Sequence, residues 1–253
     1  MFKGAVFPLL LFFCGRPPIG PIGTPEAVSL TKKALAALGG EEGIRKRRNL
    51  YIEQEVRQPI PGGGELKISV QLWQKGDKRR MEQRIGSAPG APVVVIYDGK
   101  DLFLLVNGER RDPGIVMKKA FEAGREREDL WWNCLKKPMR VSYLGEQKIN
   151  NKKLLVLVFT HFEEDTTKVG LDPKTFLPCY MEWKAPDPYT GKLVKWVQWQ
   201  KDFKKVPEAG GLYFPFTVEV QRGEQKIWTA VLKKVRYEPS LPDSLFGAEK
   251  PVN

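Results

Sequence analysis

The chain has 253 residues, which is enough for one large all-β domain or two small domains. Hydrophobic residues make up 42% and charged residues 28%, a composition that is ordinary for a soluble folded protein and excludes a disordered or fibrous chain. The formal net charge of +12 bears on association and solubility rather than on fold. A solvated basic surface accounts for it, and the excess also permits attraction to nucleic acid or to an anionic membrane surface.

Residues 1–23 have the pattern of a targeting segment. Lys3 provides a short positive start, and Ala5–Cys14 is an apolar run of signal-peptide length that ends before a proline pair. The run is too short for a membrane-spanning helix, which takes roughly 20 residues. We therefore predict an export segment over residues 1–23, one domain over residues 24–253, and a location outside the cytoplasm.

The three cysteines raise two separate questions. Phe12 and Phe13 precede Cys14, where processing of a bacterial lipoprotein needs a small residue, so simple export fits better than a lipid anchor at Cys14. Export also permits a disulfide between Cys134 and Cys179. Because their spacing matches no disulfide framework, two unpaired buried thiols are the preferred interpretation and a bridge is the alternative.

The first predicted element is a helix that begins at Thr24. The Thr24 hydroxyl caps it, Pro25 occupies its first position and Glu26 lies in its first turn. Apolar residues then recur at helical spacing until Gly39-Gly40 ends the helix. This apolar stripe needs a surface to pack on.

From Leu50 onward the apolar period changes to two, as in strands with one buried face. Leu66–Leu72 has the clearest alternation. Two β-rich runs, Val93–Tyr97 and Leu102–Val106, flank an Asp98-Gly99 turn and predict a tight hairpin. Neither run alternates with polar residues, which predicts that the hairpin is covered on both faces.

Gly114–Lys136 interrupts the strand pattern and predicts two short helices that separate at Gly124. The second helix carries the adjacent Trp131 and Trp132. Because two adjacent side chains of a short helix cannot both face one side fully, this pair suits a segment that lies across the rim of the fold. We interpret these helices as a lid over an apolar cavity.

Strands resume at Met139 and follow one another to Tyr237, and the tail Pro239–Phe246 is irregular. The chain therefore contains about eleven strands joined by short turns, with no alternation of strands and helices. This pattern predicts a mainly β fold built on a single antiparallel sheet.

Several short motifs occur in a characteristic order after the exported start. They are Leu38-Gly39-Gly40, the hairpin IYDGK at 96–100, VSYLG at 141–145, GGLYFP at 210–215 and LPDSLF at 241–246. In this order the chain resembles the periplasmic lipoprotein-carrier family, the LolA/LolB-like or outer-membrane lipoprotein-sorting proteins, over most of residues 25–246.

The resemblance implies a strongly curved, unclosed antiparallel half-barrel with short helices packed in its concave side. It also implies a non-enzymatic chaperone role, in which a cavity carries the acyl chains of lipoproteins or lipids between partner proteins of the inner and outer membranes. In the carrier a cavity arginine helps to hold the lid, and no position of this sequence identifies that arginine. Because the family includes stress sensors, a regulatory envelope-stress sensor or a structural binding module is the alternative function.

The strands and lid helices supply the candidates for a cavity lining. A barrel interior can hold one apolar ligand, and each buried CH₂ group contributes about 0.8 kcal/mol. The candidates are Val70, Leu72, Met117, Phe121, Trp131, Trp132, Phe214 and Phe216. The alternative for each of them is ordinary core packing.

Motifs for catalysis are absent from the sequence. His161 is the only histidine, which limits metal clusters and histidine-dependent hydrolysis, and the adjacent acids at 163–165 are typical of a solvated turn. The sequence contains no G-x-S-x-G, no phosphate-binding loop and no dinucleotide fingerprint. We therefore predict no catalytic residue, no metal and no cofactor. No sequence motif supports the alternative of a hydrolase that acts on envelope material.

Two basic segments bear on partners. Arg45–Arg48 is the sharpest basic run, and Lys192–Lys205 interleaves lysines with Trp196, Trp199 and Phe203, as in surfaces that stack on single-stranded nucleic acid. An exported protein meets little nucleic acid. We therefore expect no nucleic-acid partner and prefer attraction to anionic lipid headgroups.

Overall fold

The computed structural model describes residues 19–86, 90–161, 165–187 and 191–247. Most of the predicted export segment, Cys14, and the acids Glu163 and Glu164 lie outside the described residues. The described helices are α1 (Pro25–Ala37), α2 (Gly40–Lys46), α3 (Gly114–Glu128) and α4 (Leu130–Lys136). None of them combines the length and apolar content needed to cross a bilayer.

Fourteen strands form one sheet in the described part of the chain. They are β1 (Gly20–Gly23), β2 (Asn49–Pro59), β3 (Glu65–Lys75), β4 (Lys78–Ile85), β5 (Val93–Tyr97), β6 (Leu102–Val106), β7 (Glu109–Arg111), β8 (Pro138–Ile149), β9 (Lys152–Thr160), β10 (Thr166–Leu171), β11 (Pro178–Pro186), β12 (Leu193–Val206), β13 (Leu212–Arg222) and β14 (Gln225–Tyr237).

The strand order is β1-β8-β9-β10-β11-β12-β13-β14-β2-β3-β4-β5-β6-β7. Neighbouring strands are antiparallel except for the parallel pair of β1 and β8. The sheet does not close into a barrel, which confirms the predicted unclosed, mainly β fold. The predicted count of about eleven strands is too low, and the edge strands β1 and β7 are among those missed. With four and three residues they are too short for a periodic signal.

The first helix begins as predicted, because the Thr24 hydroxyl accepts a hydrogen bond of 3.3 Å from the backbone N–H of Ala27. The glycine pair ends α1 but does not end the helical region, since α2 follows at once. Gly39 has a φ of 101°, and a Cβ at this position would lie 2.5 Å from Leu212 Cδ2. Glycine therefore allows the corner between α1 and α2 to rest directly on β13.

The lid helices separate at Asp129 and not at Gly124, which lies inside α3. Glycine within a helix costs only about 1 kcal/mol relative to alanine, so one glycine need not end a helix. The chain turns at Asp129 instead, where arginine side chains from distant segments bind the carboxylate. The pattern of neighbouring residues does not indicate these contacts, because the arginines lie far from Asp129 in the chain.

The largest hydrophobic cluster joins the helices to one half of the sheet. Side chains of α1, α2 and α4 pack against those of β8 to β11. Its fully buried members include Ala27, Leu130, Cys134, Leu157 and Phe159. This packing determines which side of the sheet the helices cover.

The hairpin of β5 and β6 is covered on both faces, as predicted. On one face Ile96 and Phe103 pack against Phe246, which is only 1% exposed. On the other face Tyr97 contacts Phe121 of α3, with ring centroids 5.2 Å apart. The tail that was predicted to be irregular contains the 3₁₀ turn Asp243–Phe246, and this turn is the cover of the first face.

Candidate functional site

The strand register brings apolar side chains together on the side of the sheet that the helices cover. Ile52 lies opposite Leu72, and Leu72 lies opposite Met81, so the three share one row across β2, β3 and β4. Ile52, together with Phe216 of β13 and Leu232 of β14, also packs against a second buried cluster that includes Phe214 and Val235. Val218 lies on the same side of β13, two residues after Phe216.

We call this set the apolar strip. Its members are Ile52, Leu72, Met81, Phe216, Val218 and Leu232. Every one of them is only partly buried, although they lie on central strands of the sheet. Large apolar side chains that stay partly exposed at such positions mark a surface that the fold does not fully cover.

Four of the predicted lining residues lie on the strip's side of the sheet. Leu72 and Phe216 belong to the strip itself. Phe214 is buried next to Phe216, and Val70 lies one row further along β3, opposite Gln54. The alternation of the two strands identified this side correctly.

The other four predicted residues lie on the helices and are not gathered at one place. Trp131 packs edge-on against Phe159 in the main core, with ring centroids 5.7 Å apart. Trp132 lies under the guanidinium of Arg48 at 4.5 Å. On α3, Phe121 contacts the hairpin and Met117 is 40% exposed.

A small polar cavity lies where α4 meets β3 and β4, and we call it the arginine cavity. It has a volume of about 90 Å³ and is lined by Ile44, Arg47, Arg48, Gln74, Arg79, Glu128, Asp129, Trp131 and Trp132. Because each water molecule takes about 30 Å³, the cavity suits one small polar group and not an acyl chain. Apart from its two tryptophans and the arginines of the basic run at 45–48, the lining was missed by the sequence patterns.

Asp129 is the centre of the ion-pair network in this cavity. Its Oδ1 accepts hydrogen bonds from Arg48 Nη1 at 3.3 Å and from Arg79 Nη2 at 3.1 Å. Arg48 also pairs with Asp77 in the turn between β3 and β4, and Arg79 also pairs with Glu128. The junction between α3 and α4 is thereby attached to the sheet.

A second set of contacts holds the C-terminal half of α3. Arg127 Nη2 lies 2.9 Å from the carboxylate of Asp165 beside β10, and its guanidinium lies over Trp183 of β11. Arg125 lies over Tyr97 of β5 at 4.8 Å. Strands β5 and β10 are far apart in the sheet order, so α3 bridges the two arms of the open sheet.

Helix α3 is attached by polar and aromatic contacts rather than by a core. No described residue of α3 is buried. Ile115 and Val116, in its first turn, are 70% and 69% exposed. An element with few buried apolar contacts opens at low free-energy cost. We therefore call α3 the lid helix.

The basic run at 45–48 is not a continuous surface patch. Arg45 and Lys46 pair along α2 with Glu41 and Glu42, whereas Arg47 and Arg48 line the arginine cavity. The helical turn separates the four side chains into these two pairs. Burial lowers the pKa of Arg47 to about 10, so its guanidinium is still charged at neutral pH.

The aromatic residues of β12 do not form an exposed stacking surface. Trp199 is buried against Tyr180, with ring centroids 4.8 Å apart. Trp196 stacks on Trp183 at 6.4 Å. Their partners on neighbouring strands already occupy the faces that a nucleotide base would use.

Both described cysteines are free thiols, as preferred, but only Cys134 is buried and Cys179 is partly exposed. Burial raises the pKa of Cys134 to about 12 and that of Cys179 to about 11, so both thiols are protonated and unreactive at neutral pH. Across the described ranges, no group of acidic, cysteine or histidine side chains has the arrangement of a metal site.

His161 is expected to make the protein less stable in mild acid. Its Nε2 lies 2.9 Å from the hydroxyl of the buried Thr167, and burial lowers the pKa of His161 despite the opposing effect of Asp165. The unfolded chain therefore binds the proton first, as pH falls through about 6.5. The free energy of unfolding should decline from there until the pH reaches the folded-state pKa of His161.

Urea unfolding between about pH 7.5 and pH 5.5 measures this effect. A His161→Gln variant should show a clearly smaller decline, because glutamine does not titrate. Equal declines in the two proteins would contradict the assignment.

No family model matches the chain, and no curated protein matches it. Several solved structures match the chain. A DUF1329 family protein from Desulfovibrio piger matches with a TM-score of 0.60 at 15% identity, covering 87% of this chain and 97% of that chain. A LolA superfamily protein from Nitrosomonas europaea matches with a TM-score of 0.55 at 14% identity and the same two coverages, 87% and 97%. The chain therefore has the LolA/LolB-like fold.

Proposed function

We propose that this protein is a non-enzymatic carrier of the periplasm, which binds the acyl chains of lipoproteins or lipids. The observation that carries the proposal is the apolar strip on the side of the sheet that the helices cover. The strip offers partly exposed aliphatic and aromatic side chains on central strands of the sheet. Each CH₂ group that an acyl chain buries there contributes about 0.8 kcal/mol, so affinity needs no polar chemistry.

The arginine cavity is too small to hold a long chain, so the chain would lie along the apolar strip, and movement of the lid helix would widen access to the covered side of the sheet. The contacts of Asp129 and Arg127 attach the lid helix to the two arms of the sheet. Breaking them separates α3 from the sheet without disrupting the main core, which involves the other three helices. Arg48 and Arg79 are thus the candidates for the lid-holding arginine that the family resemblance implies.

The exposed end of the lid helix suits contact with a membrane surface. Ile115, Val116 and Met117 project outward, and Lys118 and Lys119 follow them. Apolar residues beside cations are the usual composition of segments that lie in the interface of an anionic bilayer. Such contact would place the strip near the lipid that is loaded or delivered.

The proposal predicts that the protein purified from a bacterial host carries acyl species, which organic extraction and mass spectrometry detect. It should also take up a fluorescent fatty acid. In a Leu72→Lys variant, the cation at the centre of the strip should weaken this uptake at least about tenfold, because a charge is costly to desolvate against an acyl chain.

Ile60→Lys is the matched control, since Ile60 is 44% exposed at the end of β2 and lies outside the strip. It should bind as the wild type does. A clean extract together with no uptake by the wild type would refute the carrier function. Capture of a membrane protein by such a ligand-free chain would then favour the regulatory alternative.

A further inference from the structure

We infer that the arginine cavity binds the oxyanion headgroup of the acyl ligand, so that the preferred cargo is an anionic amphiphile such as a fatty acid or a lipid phosphate. The inference rests on the proposed function for the position of the acyl tail. It adds a polar site and a ligand class that the strip alone does not specify.

The cavity contains guanidinium groups with unused donors. Arg79 is 8% exposed, and its Nε–H is buried without a hydrogen-bond partner among the described residues. The Nε–H of Arg47 is buried and without a partner in the same way. A buried donor that lacks an acceptor costs free energy, and an oxyanion that entered the cavity would supply the acceptor.

Arg47 also lacks a counter-charge. Its Nη2 donates to the backbone carbonyl of Tyr213, and its guanidinium lies 4.4 Å from the centre of the Phe214 ring. No acidic side chain of the described ranges pairs with it. A partly buried cation without a counter-charge is unfavourable, so Arg47 is the residue of this cavity that gains most from an anion.

Neither of the two carboxylates that line the cavity provides a counter-charge for Arg47. Asp129 is already bound by Arg48 and Arg79, and the Glu128 side chain, bound by Arg79, is 69% exposed to solvent. Three arginines and two acids line the cavity, and Asp77 beside it is a third acid that pairs with Arg48. What favours an anion is therefore Arg47, the lining arginine that pairs with none of these acids. The volume of about 90 Å³ suits a carboxylate or phosphate group.

The cavity lies next to the apolar strip along the same strands. Gln74 and Arg79, which line the cavity, lie opposite each other on β3 and β4. Leu72 and Met81 of the strip form the next row on the same side of the sheet, roughly 7 Å away at the usual rise of a strand. One amphiphile can therefore place its headgroup in the cavity and its tail along the strip.

The test compares a dansyl-labelled undecanoic acid with its methyl ester, using the wild-type protein and fluorescence titration. The acid should bind at least about tenfold more tightly than the ester, since only the acid offers a charged acceptor. In an Arg47→Gln variant the acid should lose this advantage while the ester binds unchanged. Arg57→Gln, a change at an exposed arginine of β2 paired with Glu55, should preserve the advantage.

The outcomes separate the headgroup site from the carrier function. Equal binding of acid and ester by the wild type would overturn the headgroup site and leave the carrier function standing. If neither ligand binds, the carrier function fails as well. Competition by inorganic phosphate against the acid, but not against the ester, would support the site and show that a free oxyanion also enters it. The comparison of acid with ester does not depend on the folding of any variant.

Discussion

Replacement of Asp129 with asparagine is expected to lower the free energy of unfolding by about 3 kcal/mol. The Asp129 side chain is 13% exposed and receives hydrogen bonds from two arginines that are themselves almost fully buried. Asparagine keeps the shape of the side chain but removes the charge that offsets those two cations. Removing the buried partner is costly because Arg48 and Arg79 then keep only the solvent-exposed carboxylates of Asp77 and Glu128 as counter-charges.

Urea unfolding, monitored by tryptophan fluorescence, measures this change: the midpoint urea concentration and the slope of the transition give the free energy of unfolding. Glu128→Gln is the matched control, since Glu128 is the adjacent residue and also pairs with Arg79 but is 69% exposed. Its effect should be less than about 1 kcal/mol. If the two variants lose the same stability, the buried network is not what attaches the lid helix to the sheet.

Replacement of Phe246 with alanine is expected to cost about 3 to 5 kcal/mol, the usual range for a fully buried phenylalanine. The side chain is 1% exposed and packs against Ile96 and Phe103 on the face of the hairpin opposite to the lid helix. Alanine would leave a cavity between the tail and the sheet and would weaken the cover of the hairpin. The tail should then also become sensitive to proteolysis.

Ser244→Ala tests whether the effect belongs to packing rather than to the 3₁₀ turn itself. Ser244 is exposed in the same turn, and its backbone carbonyl accepts the hydrogen bond from Gly247 in either variant. Its effect should stay within about 0.5 kcal/mol. A Phe246→Ala protein that unfolds at the wild-type urea concentration would mean that the tail does not stabilise the hairpin.

The residues of the candidate site could be predicted from the sequence only where the pattern of neighbouring residues indicates their position. Alternation along β3 and β13 identified the side on which Leu72 and Phe216 lie, because successive side chains of a strand point to opposite faces. The ion pairs of Asp129 left no such signal, since Arg48 and Arg79 are 81 and 50 positions away in the chain. The predicted break at Gly124 was wrong for the same reason, as a distant contact moved the helix end.

The amino-acid sequence by itself determined most of the strands, the hairpin at 93–106, the capped start of α1 and the antiparallel class of the sheet. These features depend on residues within a few positions of one another, where spacing and turn chemistry act directly. Only the tertiary structure decided that the tail covers the hairpin and that the side chains of Arg47 and Arg48 line a cavity. It also decided that this cavity lies next to the apolar strip. Such contacts depend on the register of strands distant in the chain and on the seating of the helices, which local spacing does not specify.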